Sequence, residues 1–491
     1  MKIRKIQAAI LATGLVGVLS GHAAQLDVCS ACAHTTITDA VSAAASGDVI
    51  YIHNGTYNEH DIVIDKELTV NGESQAGVVV DAGGNGRHFS VMDAAGVARF
   101  SEMTLENGTT VGSSNPCNNF AHNRGGSICA GDVAMKIWKV AFNDNFAEAI
   151  GGAVYMGGDT AGQFTTGVLS ISKSIFNHNS LAGTTSNGAT GGAVACGYCE
   201  SVEMFGNVFN RNTAGTMPTS SGTYHGQGGA VGIFGASKVR SDQNIFKYNH
   251  AKQTGGAVNV SATSATFTND FFFKNHADIQ AGALLSANAG SDPTVTHIRR
   301  STFEKNYSEH GGALDARSEV RIDNSTFTDN FAASNGAAII QSRAYETFKV
   351  ANTTFVRNEA YGDDGAVIYF SSLYNSGDIR IDNSLFFDNP DPECQFDYND
   401  IAEGVHNLGD SYSCDPANGS GLPFILSAAT DVNPNLVNNG GFTKTHELLA
   451  GSNAVDTGAN SCPSAITGSP LANDQRGFNR PKKCDIGSYE Q

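Results

Sequence analysis

The chain has 491 residues, with 48 acidic and 30 basic side chains and a net charge of −18. That balance excludes a nucleic-acid partner and an anionic membrane surface, which both need clustered Lys and Arg. With 40% hydrophobic and 16% charged residues, 56 Gly and 11 Pro, the composition fits short strands and tight turns, not a helix bundle or a disordered polymer.

Residues 1–24 read as an export signal. Lys2, Arg4 and Lys5 precede an apolar run from Ile6 to Leu19, and Gly21-His22-Ala23-Ala24 ends in small residues. The run is too short for a membrane span, and no later stretch is long enough. Its removal leaves 48 acidic against 27 basic residues. The expected destination is extracellular or the bacterial cell surface, associated with the outer membrane.

Residues 25–107 predict an N-terminal cap and the first rungs of a coil. One helical stretch, Ile37 to Ala45, is followed by alternating short strands. An amphipathic helix at the end of a solenoid covers its open core.

Residues 108–393 carry a repeat of two alternating tetrapeptides. Gly-Gly-Ala-aliphatic, or a close variant, starts at 125, 151, 191, 228, 255, 281, 311, 335 and 364. Phe-x-x-Asn starts at 142, 176, 209, 246, 272, 303, 327, 355 and 386. Five positions before each Phe stands an apolar residue, such as Ile137, Ile171, Ile298, Ile322 or Ile381, with Ser241 the exception. Seven before it the residue is again mostly apolar, so one face of a strand points inward. Pairs such as Asn324-Ser325 and Asn383-Ser384 follow, and predict a turn. Each repeat is therefore strand, corner, short strand, corner and a third strand opening at Gly-Gly-Ala.

Three short strands per repeat predict an all-β fold, a right-handed parallel β-helix solenoid. Phe and Ile stacks fill the core, and an Asn stack runs along a corner. The 24-residue spacings between some successive Phe residues exclude a β-propeller, whose blades need about 40 residues. Residues 394–491 lose the repeat and are expected to form a disulfide-bearing C-terminal cap.

Ten cysteines fall into close pairs: Cys29/Cys32, Cys117/Cys129, Cys196/Cys199, Cys394/Cys414 and Cys462/Cys484. In an exported chain an even count reads as disulfides. Zinc and thiol-redox sites also use the spacing of the two CxxC pairs.

The alternating tetrapeptides of 125–389 resemble the repeats of the polymorphic outer membrane protein family. The N-terminal string resembles the opening of pectin-lyase-like β-helices. Residues 433–460, Asp474 to Pro481 (DQRGFNRP) and Cys484 to Glu490 (CDIGSYE) resemble the choice-of-anchor Q module. The first resemblance implies a surface-displayed adhesive passenger. The chain reaches Gln491 without the transmembrane barrel of the chlamydial proteins or the sorting segment that normally follows the anchor module.

A lyase of this fold needs a base near the acidic carbon of the sugar and a cation for the uronate; a hydrolase needs paired carboxylates. The residues after each Gly-Gly-Ala-aliphatic are expected to form an outward row: Tyr155, Ala195, Gly232, Asn259, Leu285, Asp315, Ile339 and Ile368. One of these eight is charged, so this row predicts no catalytic constellation. The densest charged set is Arg299, Arg300, Lys305, His310, Asp315 and Arg317, with His310, Asp315 and Arg317 as the fallback catalytic group. No cofactor is expected; the Asp431-Val432-Asn433 loop is a candidate for calcium. Loops 108–124, 180–190 and 213–227 are expected to project from one edge, with Tyr198, Tyr224 and His225 as candidate binding residues. The sequence thus predicts a non-catalytic adhesin or a protein binding a glycan or another surface macromolecule. A polysaccharide lyase or glycoside hydrolase is the alternative.

Overall fold

A computed structural model describes residues 23–113, 123–157, 166–183, 189–217, 225–288, 294–343, 346–362, 365–371, 378–390, 392–396, 402–409, 424–426, 431–480 and 483–491. Most of the export signal, together with Cys117, Cys414, Tyr224 and parts of all three long loops, lies outside these residues.

The chain winds into a parallel β-helix with four walls. The first wall holds strands such as Val154–Gly157, Val194–Gly197, Leu284–Ala287 and Leu314–Arg317. The second holds Val168–Ser172, Ser201–Phe205, Val295–Arg299 and Glu319–Asp323. The third holds Ile175–Asn177, Val208–Asn210, Thr302–Glu304 and Thr326–Thr328. A fourth wall of two-residue strands, from Phe146–Ala147 to Glu359–Ala360, completes each rung. Each strand pairs in parallel with its equivalent one rung on, Ile298 with Ile322 and Ile322 with Val350.

The Phe of each Phe-x-x-Asn lies on its successor. From Phe142 to Phe386 the ring centroids are 4.6 to 5.2 Å apart and nearly parallel. The motif Asn residues make a continuous ladder. Asn179 Nδ2 donates to Asn212 Oδ1 at 3.0 Å and to the Phe142 carbonyl at 3.0 Å, while Asn212 Oδ1 also accepts the Asn179 backbone N–H. The same pattern recurs from Asn145 to Asn389. Every amide in this buried row is thereby satisfied, the condition for placing polar groups in a core.

Left-handed backbone makes three of the corners. Lys173, Asn324, Asn352 and Asn383 take φ of 47° to 51° three residues before the Phe, at the turn the Asn-Ser pairs predict. The first Gly of the first wall is the second such corner, with Gly191 at φ 75° and Gly255 at 65°. The third, two residues after the Phe, carries ordinary side chains: Asp144, His178, Arg211, Tyr248, Lys274, Lys305, Asp329, Arg357 and Asp388. No Gly or Asn marks it, so the sequence does not announce it. The second Gly of the motif has another cause. A Cβ on Gly152, Gly192 or Gly229 would collide with the carbonyl oxygen of the next rung.

The expected outward row is wrong in its last two members. Leu314 pairs with Ile339 and Ile339 with Ile368, so both isoleucines belong to the inward row and are buried. Gly336, at φ 70°, is the equivalent of Gly311, at 65°. The motif therefore begins at Gly336 and not at Asn335; Ile340 and Tyr369 follow Asp315 in the row.

Helix Ile37–Ala43 buries Ile37, Ala40 and Val41 against the first rungs, with the Thr36 hydroxyl accepting the Asp39 N–H as its N-cap. The coil does not stop at residue 393. Cys394–Phe396, Ala402–Glu403, Asn407–Gly409 and Phe424–Leu426 still pair rung on rung. Residues 431–491 then return along the flank of the last rungs. Thr302 donates to the Lys444 carbonyl, Thr326 to Gln475 Oε1, and Arg480 to Asn324 Oδ1. Asp474, Gln475, Arg480 and Ser488 are buried at or beside this contact.

Disulfides join Cys29 to Cys32, Cys196 to Cys199 and Cys462 to Cys484. Cys129 and Cys394 are also disulfide-bonded.

Candidate functional site

The first wall is not an open face. The residues just before each Gly-Gly fold back over the outward row. Arg124 donates to the Tyr155 hydroxyl at 2.7 Å, and Asn259 donates to Gln227 Oε1 at 3.0 Å. Asp315 is fully buried here. Its oxygens accept from Arg317 at 2.7 Å and from Ser342, and Arg317 also reaches Gln280. Burial pushes the Asp315 carboxyl up, against the pull of Arg317. His310 lies near enough to act on Asp315 electrostatically, and its Nε2 is 3.9 Å from Glu309. The structure does bring His310, Asp315 and Arg317 together, but as a covered ion pair whose carboxylate already has partners.

Tyr198 and His225 are not neighbours in the rung. Tyr198 stands at the exit of a first-wall strand, edge-on to Phe234 at 5.6 Å. His225 precedes such a strand, with its Nδ1 3.2 Å from Gln253 Nε2. Asp431 accepts from the Asn453 backbone at 2.6 Å and the Asn453 side chain at 3.3 Å, so the calcium candidate is engaged by a residue 22 positions further along.

The fourth wall carries a feature that the sequence reading missed. The residue after each motif Asn points outward here, and from the fourth rung on these are His250, His276, Tyr307, Phe331 and Glu359, with Tyr361 two residues beyond the last. The imidazoles of His250 and His276 stack at 4.7 Å, and Tyr307 follows at 4.7 Å. Phe331 lies 5.3 Å beyond Tyr307, and Tyr361 meets Phe331 edge-on at 4.8 Å. Tyr361 is 71% exposed and Tyr307 38%. The signal was available as the strings Asn-His-Ala at 249 and 275 and Asn-Tyr-Ser at 306.

At one end of this strip lies a charged cluster. Asp278 Oδ1 is 2.7 Å from His250 Nε2 and 3.6 Å from His276 Nε2, and Lys252 Nζ is 3.1 Å from Asp278 Oδ2. Burial, then the neighbouring His250, hold His276 below the usual imidazole range. Burial acts to raise the Asp278 carboxyl, but hydrogen bonds from His250 and Lys252 outweigh it and hold the group low. The stem of loop 213–227 borders this cluster, with Gly215 packed against Lys252 and the His225 carbonyl.

No family model matches the chain, and no curated protein matches it. Among solved structures, the PL6 family alginate lyase AlyGC aligns at 13% identity and a TM-score of 0.43, over 93% of this chain and 59% of that one. A mutant of the same lyase aligns at 12% identity and a TM-score of 0.44, over 92% and 58%. A pectin methylesterase mutant in complex with a hexasaccharide aligns at 14% identity and a TM-score of 0.20, over 62% and 79%. The chain spans less than two thirds of the length of the two lyases.

Proposed function

We propose that the protein is an exported, non-catalytic β-helix that binds a glycan along its fourth wall. The observation that carries this reading is the half-exposed row His276, Tyr307, Phe331 and Tyr361, one ring per rung. Monomeric surfaces seldom display a contiguous aromatic strip without a partner. Tyr side chains offer an apolar ring to the C–H face of a sugar and a hydroxyl to its oxygens. The net charge of −18 favours a neutral polysaccharide over a uronate polymer. Retention on immobilised neutral polysaccharides tests the reading. Tyr307→Ala and Tyr361→Ala each weaken binding about tenfold, the cost of roughly 1.4 kcal/mol of lost contact, whereas Tyr198→Ala does not. Unchanged retention in both strip variants removes the strip as the site. Release of unsaturated or reducing sugar by the parent protein replaces binding with the lyase or hydrolase reading.

A further inference from the structure

We infer that His250, His276 and Asp278 form a binding site for a divalent transition metal of the zinc type on the fourth wall. The inference does not rest on glycan binding, although His276 belongs to both surfaces.

The ligand atoms of the three side chains lie within 4.8 Å of one another. Their convergence follows from the rungs. His250 and His276 are register partners, and each follows a ladder Asn, Asn249 or Asn275, that fixes its backbone. The two rings therefore stack at 4.7 Å with 14° between their planes. Asp278 lies two residues beyond His276, and its backbone N–H donates to the Ala251 carbonyl at 3.1 Å. Both Nε2 atoms turn toward the same oxygen, Asp278 Oδ1.

Zinc holds nitrogen and oxygen ligands at about 2.0–2.2 Å, which puts tetrahedral neighbours about 3.4 Å apart. The separations of 2.7 and 3.6 Å from Asp278 Oδ1 to the two nitrogens bracket that value. The two rings must leave their parallel stack and tilt toward a shared ion to complete the site, a movement open to side chains that are each roughly a third exposed. Two imidazoles and one carboxylate select zinc, copper or nickel over calcium or magnesium, which prefer oxygen. Three protein ligands leave a position open to solvent, as in zinc sites that exchange a fourth ligand.

Lys252 has two opposing effects. Its ammonium holds Asp278 Oδ2 and leaves Oδ1 for the metal, an outer partner that orients a ligand. The same charge repels a cation, so the dissociation constant is expected in the micromolar range.

Calorimetric titration of the untagged full chain with zinc alone is the test, with cobalt absorbance as a second reading of the ligand field. One equivalent is expected. His276→Gln and Asp278→Asn each weaken it at least tenfold, and Lys252→Met tightens it. Thermal melts of the zinc-free variants confirm that each is folded, because these side chains lie at the surface. Tyr361→Ala keeps zinc binding intact, so loss of the glycan reading and loss of this one are distinguishable. Absence of binding at about 1 mM zinc, far above the expected micromolar constant, overturns the inference. Equal affinity in the parent, His276→Gln and Asp278→Asn also overturns it.

Discussion

Asp270 Oδ1 accepts the backbone N–H of Asn244 at 2.8 Å, inside a buried polar ladder whose neighbouring rungs carry Asn207, Asn244 and Ser301. Asn207 and Asn244 donate a side-chain amide to a carbonyl of the preceding rung, Ile171 or Met204. A carboxylate has no such proton, and Asp270 Oδ2 is buried without a hydrogen-bond partner. Burial pushes this carboxyl up to about 7, against the hydrogen bonds from Asn244 and Ser241.

The sign of the pH dependence follows. The folded protein keeps a proton that the unfolded chain releases near pH 4, so Asp270 favours folding at low pH. That contribution is lost as the pH rises from about 4 to about 7, and is gone above it. Asp270→Asn supplies the missing donor at every pH. It is expected to raise stability at pH 8 by about 2 kcal/mol and to flatten the slope between pH 4 and 7. Denaturant midpoints across that range are the measurement, and a parallel slope in the variant rejects the assignment.

Ile322 and Asp323 are adjacent, and both are fully buried, for different reasons. Ile322 points into the coil. Asp323 points out of it but is roofed by the C-terminal segment, where Ser464 Oγ and the Ala465 N–H donate to it at 2.7 Å. Ile322→Asp buries a charge without a partner and is expected to cost several kcal/mol across the whole coil. Asp323→Ala leaves two donors unsatisfied, about 2 kcal/mol, and its effect is local. Hydrogen exchange separates them. Loss of protection confined to 460–470 is expected for Asp323→Ala, and a global loss for Ile322→Asp.

The outward position of Asp323 follows from alternation, but its burial does not. Its cover comes from residues 141 and 142 positions further along the chain, and no local pattern encodes that docking. The Phe and Asn ladders were legible because each rung repeats the same side chain at the same place. Ile339 and Ile368 were misplaced because Asn335-Gly336-Ala337-Ala338 matches the motif in the wrong frame when Ala337 stands where a Gly is usual. The His250–His276 pair escaped notice for another reason. It lies outside both tetrapeptides, on strands only two residues long, which are too short to carry an alternating apolar pattern.

Ala281 sits at φ 59° in the corner that Gly occupies at 125, 151, 191, 228, 255, 311 and 336. A Cβ there crowds the backbone in the left-handed region, at a cost of about 1 kcal/mol. Ala281→Gly is therefore expected to stabilise the coil by about that amount, partly offset by the greater freedom of Gly in the unfolded chain. A fall in the denaturant midpoint would show that the Ala281 methyl contributes more by packing than it costs in strain.

The last prediction concerns the segment that lies along the flank. Arg480 is one of its buried anchors. Nη1 donates to Glu490 Oε2 at 2.7 Å, and Nη2 donates to Asn324 Oδ1 at 3.0 Å and to the Gly487 carbonyl at 2.7 Å. One side chain thus ties Asn324, on a corner of the coil, to the final residues of the chain. Removing it strands the Glu490 carboxylate in a site where burial already pushes that group up to about 7. That carboxyl answers by taking up a proton, so the cost is the lost hydrogen bonds to Glu490, Asn324 and Gly487, several kcal/mol in all, and not an uncompensated charge. Arg480→Met is expected to release residues 431–491 while the Phe and Asn ladders persist. Glu490→Gln keeps the oxygen that Arg480 donates to and is expected to leave the segment docked. Limited proteolysis followed by mass measurement reads the difference: early cleavage between 431 and 461 in Arg480→Met, with parent-like strand content by circular dichroism. Equal protection of that stretch in the parent and Arg480→Met would place the anchoring energy elsewhere, in the Gln475 contacts with Thr302 and Thr326.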